Sequence, residues 1–211
     1  MSLIDDLKHI MKVLSDNNFN YCLIGGIASI LLGVERTTLD IDILIELNSI
    51  NQVERLHDTL KSAGYVVVLS EMINAFKKHS HFTALTPTGR IIDFKLAHTE
   101  LDRSTLTRKI SVSIEGVKTY LSPIEELITA KLKVLGSLKD VEDAIQLMYM
   151  YINEINWNYL KKIMGLKPLK YANNLLDTII REFKDEKHII DKVKNLRTLK
   201  EKIEMLINVD R

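Results

Sequence analysis

The sequence predicts an α+β protein in which a mixed β-sheet carries helices on one face and is followed by a helical C-terminal region. Before Ser122, apolar residues alternate between helical and strand spacing, and two hairpin signals occur. From Ser122 onward the spacing is helical. The 211 residues, 46% apolar and 27% charged, suffice for one full domain and a smaller second one. We therefore expect a sheet domain over 1–121 and a helical region packed on it over 122–211.

The first three predicted elements surround a pair of glycines. Apolar residues recur at helical spacing over 3–16, which predicts an amphipathic helix. The run NYCLIGG predicts a short buried strand that ends at Gly25 and Gly26. The run IASILLG, residues 27–33, predicts a short helix closed by Gly33. The glycine pair therefore stands between a strand and a helix.

A second strand follows the polar loop VERTT. We expect it to span Leu39–Leu47 and to lead into a helix that begins at Ser49 or Asn51 and ends at Gly64. The run YVVVL, residues 65–69, predicts a further strand, and the segment after it is ambiguous. HFTALTPTGRIIDFKLA then predicts a hairpin that turns at TPTG, and ISVSIEGVKTYL predicts one that turns at EG.

The remaining residues predict helices. The first has Ser122 as its N-cap, Pro123 at its first position and Gly136 after its end. Further helices are expected over 139–151, 157–165, 169–183 and 187–209. In the last of these, one apolar stripe predicts a packing face: Val193, Leu196, Leu199, Ile203 and Leu206.

Composition and charge indicate where the protein acts and which partners suit it. No apolar run approaches the ~20 residues that span a bilayer, and the N-terminus carries acids where a signal peptide is basic. We therefore expect a cytoplasmic protein with no membrane partner. The lone cysteine, Cys22, lies in an apolar run and predicts a buried, inert thiol. The net charge is +1, but residues 157–211 are basic, which suits a solvated helical face or a nucleic-acid partner.

Two aspartates lie in the strand that follows the polar loop. Because side chains alternate along a strand, Asp40 and Asp42 project from one face while the isoleucines between and after them bury the other. Two anions this close repel each other, and a divalent cation with oxygen ligands removes that penalty. The pair therefore predicts a site for Mg²⁺.

A third aspartate extends this acidic face. Asp93 alternates with Ile92 and Phe94 in the second strand of the TPTG hairpin. If that strand pairs beside Leu39–Leu47, three carboxylates meet on one sheet surface. Such a cluster is typical of two-metal phosphoryl or nucleotidyl transfer. The strand-to-helix turn at the glycine pair could bring backbone amides to a phosphate, although a tight turn alone explains the glycines equally well.

The segment LIGGIASILLGVERTTLDIDILI and the later RIIDFKL resemble nucleotidyltransferases with the DNA polymerase β-like fold. The signature of that superfamily is a strand, a Gly-Gly or Gly-Ser turn, an acid-x-acid strand and a later third acid. The resemblance covers roughly residues 20–147. It implies a mixed-sheet nucleotidyltransferase fold that uses Mg²⁺, with two metals, and an NTP to transfer a nucleoside monophosphate (NMP) to a hydroxyl acceptor.

The resemblance also implies a role for each matching residue. Asp40 and Asp42 would ligate metal, and Asp93 would be the third acid, ligating metal and helping to activate the acceptor hydroxyl. The residues expected to hold the nucleotide are Gly25, Gly26, Ser29 and Arg36.

The pattern R-x-T-x-D-x-D, which includes Thr38 as an accessory residue, is especially similar to minimal nucleotidyltransferases that include AbiEii-type toxins. That likeness implies an acceptor such as tRNA, another RNA or a protein, and an antitoxin partner. The segment LSPIEELITAKLKVLGSLKDVEDAIQL resembles the part that follows the catalytic sheet in this group. It implies that Lys131 contacts the triphosphate near Asp140 and Asp143. A surface lysine and an Asp140 helix cap are equally good interpretations.

These features disfavour several other functions. Haloacid-dehalogenase-like phosphatases place a hydrophobic strand before their Asp-x-Asp pair, whereas here the strand follows it. The glycine pair lacks the Gly-Lys-Ser/Thr of a P-loop. His79 and His81 lack a third ligand at suitable spacing and predict polar edge residues. Two alternatives stay open: a nucleotidyltransferase-like scaffold that binds nucleotide or a partner without turnover, and transfer to a small-molecule hydroxyl such as that of an aminoglycoside.

Overall fold

The computed structural model describes residues 2–184 and 190–208. The chain forms two compact units, of which the first ends at Pro123 and the second begins at Ile124. We retain the predicted domain limits, 1–121 and 122–211, as a proposal.

The first unit contains a six-stranded sheet and five helices within its described residues. Its elements are α1 (Leu3–Asp16), β1 (Tyr21–Leu23), α2 (Gly25–Leu31), β2 (Ile41–Ile45), α3 (Ile50–Ser62), α4 (Leu69–Lys78), β3 (His81–Leu85), β4 (Ile91–Leu96), α5 (Glu100–Arg108), β5 (Ile110–Ile114) and β6 (Val117–Leu121).

The sheet is mixed, with strand order β3-β4-β2-β1-β6-β5. The β2–β4 and β1–β6 pairs are parallel, and the other three pairs are antiparallel. Both predicted hairpins are present. In the second, Glu115 and Gly116 take positive φ angles of 46° and 83°, as a two-residue hairpin turn requires. The predicted α+β class and mixed sheet are confirmed.

One face of the sheet supports the core. Ile41, Ile43 and Ile45 are fully buried there together with apolar residues of α1, α3 and α4. The alternate residues of β2, Asp42 and Leu44, belong to the opposite face, where Leu44 packs against Cys22 and against Leu106 of α5. The core therefore occupies one face and leaves polar positions of β2 and β4 on the other.

Helix caps explain where several helices begin. The Ser49 side chain accepts a hydrogen bond from the backbone of Gln52, so the predicted cap of α3 is confirmed. In α5, Thr99 and Asp102 form a capping box, with each side chain bonded to the other's backbone N–H. The sequence analysis missed this helix, because little of its surface is apolar.

Two predicted strands were wrong in type or extent. Residues 65–69 do not form a strand: only Val66 makes a bridge, to Leu85, and α4 begins at Leu69. The strand expected over Leu39–Leu47 is confined to β2, because the chain before it is a solvent-exposed loop. A continuous apolar run does not distinguish a strand from the start of a helix.

The second unit is helical in its described residues. Its helices are α6 (Ile124–Thr129), which continues as a π-helical segment (Ala130–Leu135), α7 (Leu138–Met150), α8 (Trp157–Met164), α9 (Leu166–Phe183) and α10 (Ile190–Asn208). Gly136 ends the π-helical segment in a left-handed conformation, as predicted. Residues 187–189 and 209 of the last predicted helix lie outside the described residues.

The predicted apolar stripe of α10 is a packing face. Val193, Leu199, Ile203 and Leu206 are buried, and Leu196 is partly buried. Among the described residues, no helix combines the length and apolar character needed to cross a bilayer.

A buried ion pair joins α1 to the turn between β3 and β4, and it provides a test of the fold. Asp6 is 2% exposed and accepts hydrogen bonds from Thr88 Oγ1 at 2.7 Å and Arg90 Nε at 3.1 Å. We expect Asp6→Ala to lower the free energy of unfolding by about 3 kcal/mol, because it leaves the guanidinium of Arg90 without its carboxylate partner.

The matched control is Asp16→Ala in the same helix. Asp16 pairs with Lys12 on the exposed surface, so its loss should change the unfolding free energy by less than about 0.5 kcal/mol. Urea unfolding followed by circular dichroism measures both variants. Equal losses would contradict the role assigned to Asp6.

Candidate active site

Three strands place polar side chains in one row on the face opposite the core. Thr83 of β3 lies directly opposite Asp93 of β4, which in turn lies directly opposite Asp42 of β2. Neighbouring strands are about 4.8 Å apart, so the Asp42 and Asp93 side chains leave the sheet side by side. The structure therefore contains the strand pairing on which the three-acid prediction depended.

Asp40 lies just outside this row. It precedes the first residue of β2 and is exposed, beside Leu39, which is 75% exposed. Thr38 Oγ1 is 3.5 Å from the backbone oxygen of Asp40. Asp40 is therefore held by a loop, whereas Asp42 and Asp93 are held by the sheet.

The glycine pair packs directly against Asp42. Helix α2 begins at Gly25, whose φ is +62°, and an added Cβ there would lie 2.1 Å from Asp42 Oδ2. The Gly26 N–H is 3.4 Å from the same oxygen, and the Ile24 N–H donates to the Asp42 backbone oxygen at 3.0 Å. Glycine is thus needed at position 25 both for its backbone conformation and for the space that the carboxylate occupies.

The loop between α2 and β2 folds back over the second glycine. A Cβ on Gly26 would lie 3.0 Å from Arg36 Nη2 and 3.1 Å from Thr38 Oγ1. Ser29 is fully buried, and its hydroxyl donates to the Gly25 backbone oxygen at 3.1 Å. The structure thus brings together the predicted nucleotide-binding residues of the first unit and Asp42.

The sequence analysis missed a contact to the third acid. Thr83 Oγ1 donates to Asp93 Oδ1 at 3.0 Å and so helps to orient that carboxylate. The hairpin register could have revealed it, because a turn at TPTG sets Leu85 opposite Ile91 and therefore Thr83 opposite Asp93.

A lysine lies two residues after Asp93 on β4. Lys95 lies on the same face as Asp93, and its Nζ is 2.6 Å from Oδ1 of Asp102 in α5. Burial raises the pKa of Asp102, but hydrogen bonds from Lys95 and Thr99 outweigh burial and leave that pKa below its ordinary value. Asp102 is therefore a charged carboxylate next to the acidic row.

The remaining predicted residues lie in the second unit. Lys131 is 1% exposed, with its Nζ 2.6 Å from Asp143 Oδ2 and 3.4 Å from Asp140 Oδ1. It is therefore not the surface lysine that one interpretation expected. Ser137, rather than Asp140, caps α7. A role of these residues with the triphosphate stays a prediction.

The acidic row suits a hard divalent cation that a substrate helps to bind. Within residues 2–184 and 190–208, no three His, Cys, Asp or Glu side chains form a ready-made metal cluster. Mg²⁺, however, is commonly held by one or two carboxylates together with water and substrate phosphates. Asp42 and Asp93 could provide such carboxylates from two neighbouring strands, and the Gly26 amide lies next to Asp42.

Comparison with known families identifies the class of protein. The family described as "Nucleotidyltransferase of unknown function (DUF6036)" matches residues 1–194. The chain belongs to this nucleotidyltransferase family. The match includes the acidic row and the glycine turn, and it confirms the predicted nucleotidyltransferase class. The closer likeness to AbiEii-type enzymes stays a prediction.

Solved structures share the fold at low sequence identity. The solution structure of the antibiotic-resistance factor ANT(2'')-Ia matches with a TM-score of 0.53 and 13% identity, over 80% of this chain and 92% of that one. Its crystal structure with adenylyl-2''-tobramycin matches with a TM-score of 0.51 and 15% identity, over 82% of this chain and 100% of that one. A candidate nucleotidyltransferase from H. pylori matches with a TM-score of 0.51 and 18% identity, over 96% of this chain and 92% of that one. A search of curated proteins returned no match.

The contact between Gly25 and Asp42 gives a direct test of the site. We expect Gly25→Ala to weaken metal-dependent NTP binding by more than about tenfold, because the new methyl group displaces the Asp42 carboxylate, which is predicted to ligate the metal. Isothermal titration with a non-hydrolysable NTP and Mg²⁺ measures this effect.

Gly136→Ala is the matched control for backbone strain. Gly136 has a similar φ of +67°, but a Cβ there would have no heavy atom within 4 Å. This variant should lose about 1–2 kcal/mol of stability and retain NTP binding. If both variants bind NTP like the unchanged protein, Asp42 does not need the space at Gly25.

Proposed function

We propose that this nucleotidyltransferase is a divalent-metal-dependent enzyme of the cytoplasm that transfers NMP from an NTP to a hydroxyl acceptor. One observation carries the proposal: Asp42 and Asp93 lie in register on parallel strands, and Asp42 is held against the glycine turn. The family assignment supports an enzyme over a scaffold without turnover.

The residues around the glycine turn would hold the nucleotide. The Gly26 N–H and the Arg36 guanidinium lie within one cluster beside Asp42, and both are donors that suit phosphate oxygens. Ser29 would support this loop, since its hydroxyl is bonded to the Gly25 carbonyl. Lys131 is paired with Asp143 in the second unit, and its contact with the triphosphate is proposed from the resemblance alone.

The carboxylates divide the chemistry between them. Asp40 and Asp42, with Asp93, would hold two Mg²⁺ ions, which when bound neutralise charge on the phosphates. Asp93, oriented by Thr83, would accept the proton of the acceptor hydroxyl. The acceptor oxygen would then form a bond to the α-phosphorus, and the bond from that phosphorus to the bridging oxygen would break, releasing pyrophosphate.

The acceptor is proposed at the level of a hydroxyl group. ANT(2'')-Ia, a neighbour in fold, was solved with adenylyl-2''-tobramycin, in which a nucleotide is joined to a small molecule. This supports transfer to a hydroxyl but does not choose among RNA, protein and small-molecule acceptors. Incubation with each α-labelled NTP, Mg²⁺ and total tRNA, the protein alone or an aminoglycoside mixture would show which product carries label.

Asp42→Asn tests the proposal. The amide keeps the size of the side chain and removes its charge, so metal-dependent NTP binding should fall by about a hundredfold or more, beyond the range for outer-shell partners. Thermal unfolding should remain cooperative. Asp58→Asn is the matched control, because Asp58 is 78% exposed on α3. Unchanged metal-dependent binding in Asp42→Asn would overturn the proposed site.

A toxin role with an antitoxin partner is a further part of the proposal, and it rests on the R-x-T-x-D-x-D pattern. Induced expression of the protein should then arrest growth, because nucleotide addition would inactivate an essential acceptor such as tRNA. Expression of the Asp42→Asn variant to the same level should not. Equal growth with both proteins would contradict the toxin role.

A further inference from the structure

Lys95 stands next to the acidic row but is paired away from it. It follows Asp93 by two residues on β4, so both side chains leave the same face of the sheet. Its side chain is 39% exposed, and its Nζ lies 2.6 Å from Asp102 Oδ1. A flexible lysine with anions on two sides is therefore held by one of them.

Asp102 is a fixed anchor for that lysine. It is 3% exposed, and its second oxygen accepts hydrogen bonds from the backbone N–H groups of Thr99 at 3.1 Å and His98 at 3.3 Å. The bond from Thr99 belongs to the capping box that begins α5. The Asp102 carboxylate is therefore fixed in position, and it holds the Lys95 ammonium group at the start of α5.

The position of this ammonium group determines how much charge remains on the acidic row. If Lys95 turned toward Asp93, it would neutralise a carboxylate that a divalent cation needs. A +1 charge several ångströms from a +2 ion opposes binding by about a factor of ten, even with water-like screening. The ion pair with Asp102 avoids this competition.

We propose that Asp102 is a positioning residue that holds Lys95 away from Asp42 and Asp93 and thereby preserves the divalent-cation affinity of the acidic row. This inference rests on the proposed function, because it assumes that those two aspartates bind the cation. Lys95 itself is not a ligand or a phosphate contact in this proposal.

The test is Mn²⁺ binding to the full chain without nucleotide, measured by electron paramagnetic resonance. Asp102→Asn keeps the hydrogen-bond acceptor for α5 but removes the charge, so Lys95 is released and Mn²⁺ affinity should fall about tenfold. Lys95→Met alone should not lower the affinity, since the ammonium is already held away and the Asp102 carboxylate that is left unpaired attracts the cation. The double variant Lys95→Met/Asp102→Asn should regain the affinity of the unchanged protein.

Thr99→Ala is the control for damage to the helix. It removes the hydroxyl that accepts from the Asp102 backbone but leaves the ion pair, so it should lower stability and not Mn²⁺ affinity. Failure of Lys95→Met to restore affinity to Asp102→Asn would overturn the proposal. A loss of affinity with Lys95→Met alone would also overturn it, and this variant decides the matter if Asp102→Asn does not fold.

The experiment separates failure of this inference from failure of the proposed function. If the unchanged protein does not bind Mn²⁺, or if Asp42→Asn does not abolish the binding, the proposed metal site is wrong. If that binding exists but none of the Asp102 and Lys95 variants behaves as stated, only the positioning role is wrong.

Discussion

The candidate site depends on the in-register parallel pairing of β2 with β4. That register is set on the opposite face, where Ile41, Ile43 and Ile45 pack beside Ile92, Phe94 and Leu96. A slip of one residue would bury the aspartates in the core and expose the isoleucines, at a large cost in hydrophobic energy. Packing of the core therefore holds the two carboxylates side by side, and a direct interaction between them is not needed.

The second constraint is the space beside Asp42. Its carboxylate lies where a side chain at Gly25 would be, and the loop with Arg36 and Thr38 lies where a side chain at Gly26 would be. A local feature, the glycine pair, is thus explained by contacts with residues ten or more positions away in sequence. The same turn brings a backbone amide to the acid, so the groups proposed to bind phosphate and metal are adjacent.

Much of this arrangement could be predicted from the sequence, because it follows from short-range patterns. The alternation of acids and isoleucines determined the faces of β2, and the TPTG turn determined the hairpin that contains Asp93. The pairing of Asp102 with Lys95 could not be predicted, because it depends on where α5 packs, and that helix has a weak apolar pattern. The strand expected over 65–69 failed for a related reason: an apolar run shows burial, and its secondary structure depends on its neighbours.

Family membership establishes a nucleotidyltransferase, and the structure suggests how one sheet surface could bind metal and nucleotide. The central claim is that Asp42 and Asp93 share a cation. The most direct measurement is an anomalous diffraction map from a crystal containing Mn²⁺ and a non-hydrolysable NTP. We expect a Mn²⁺ peak within ligand distance of both carboxylates, next to the nucleotide phosphates. A peak elsewhere, with both aspartates more than a ligand distance away, would contradict it.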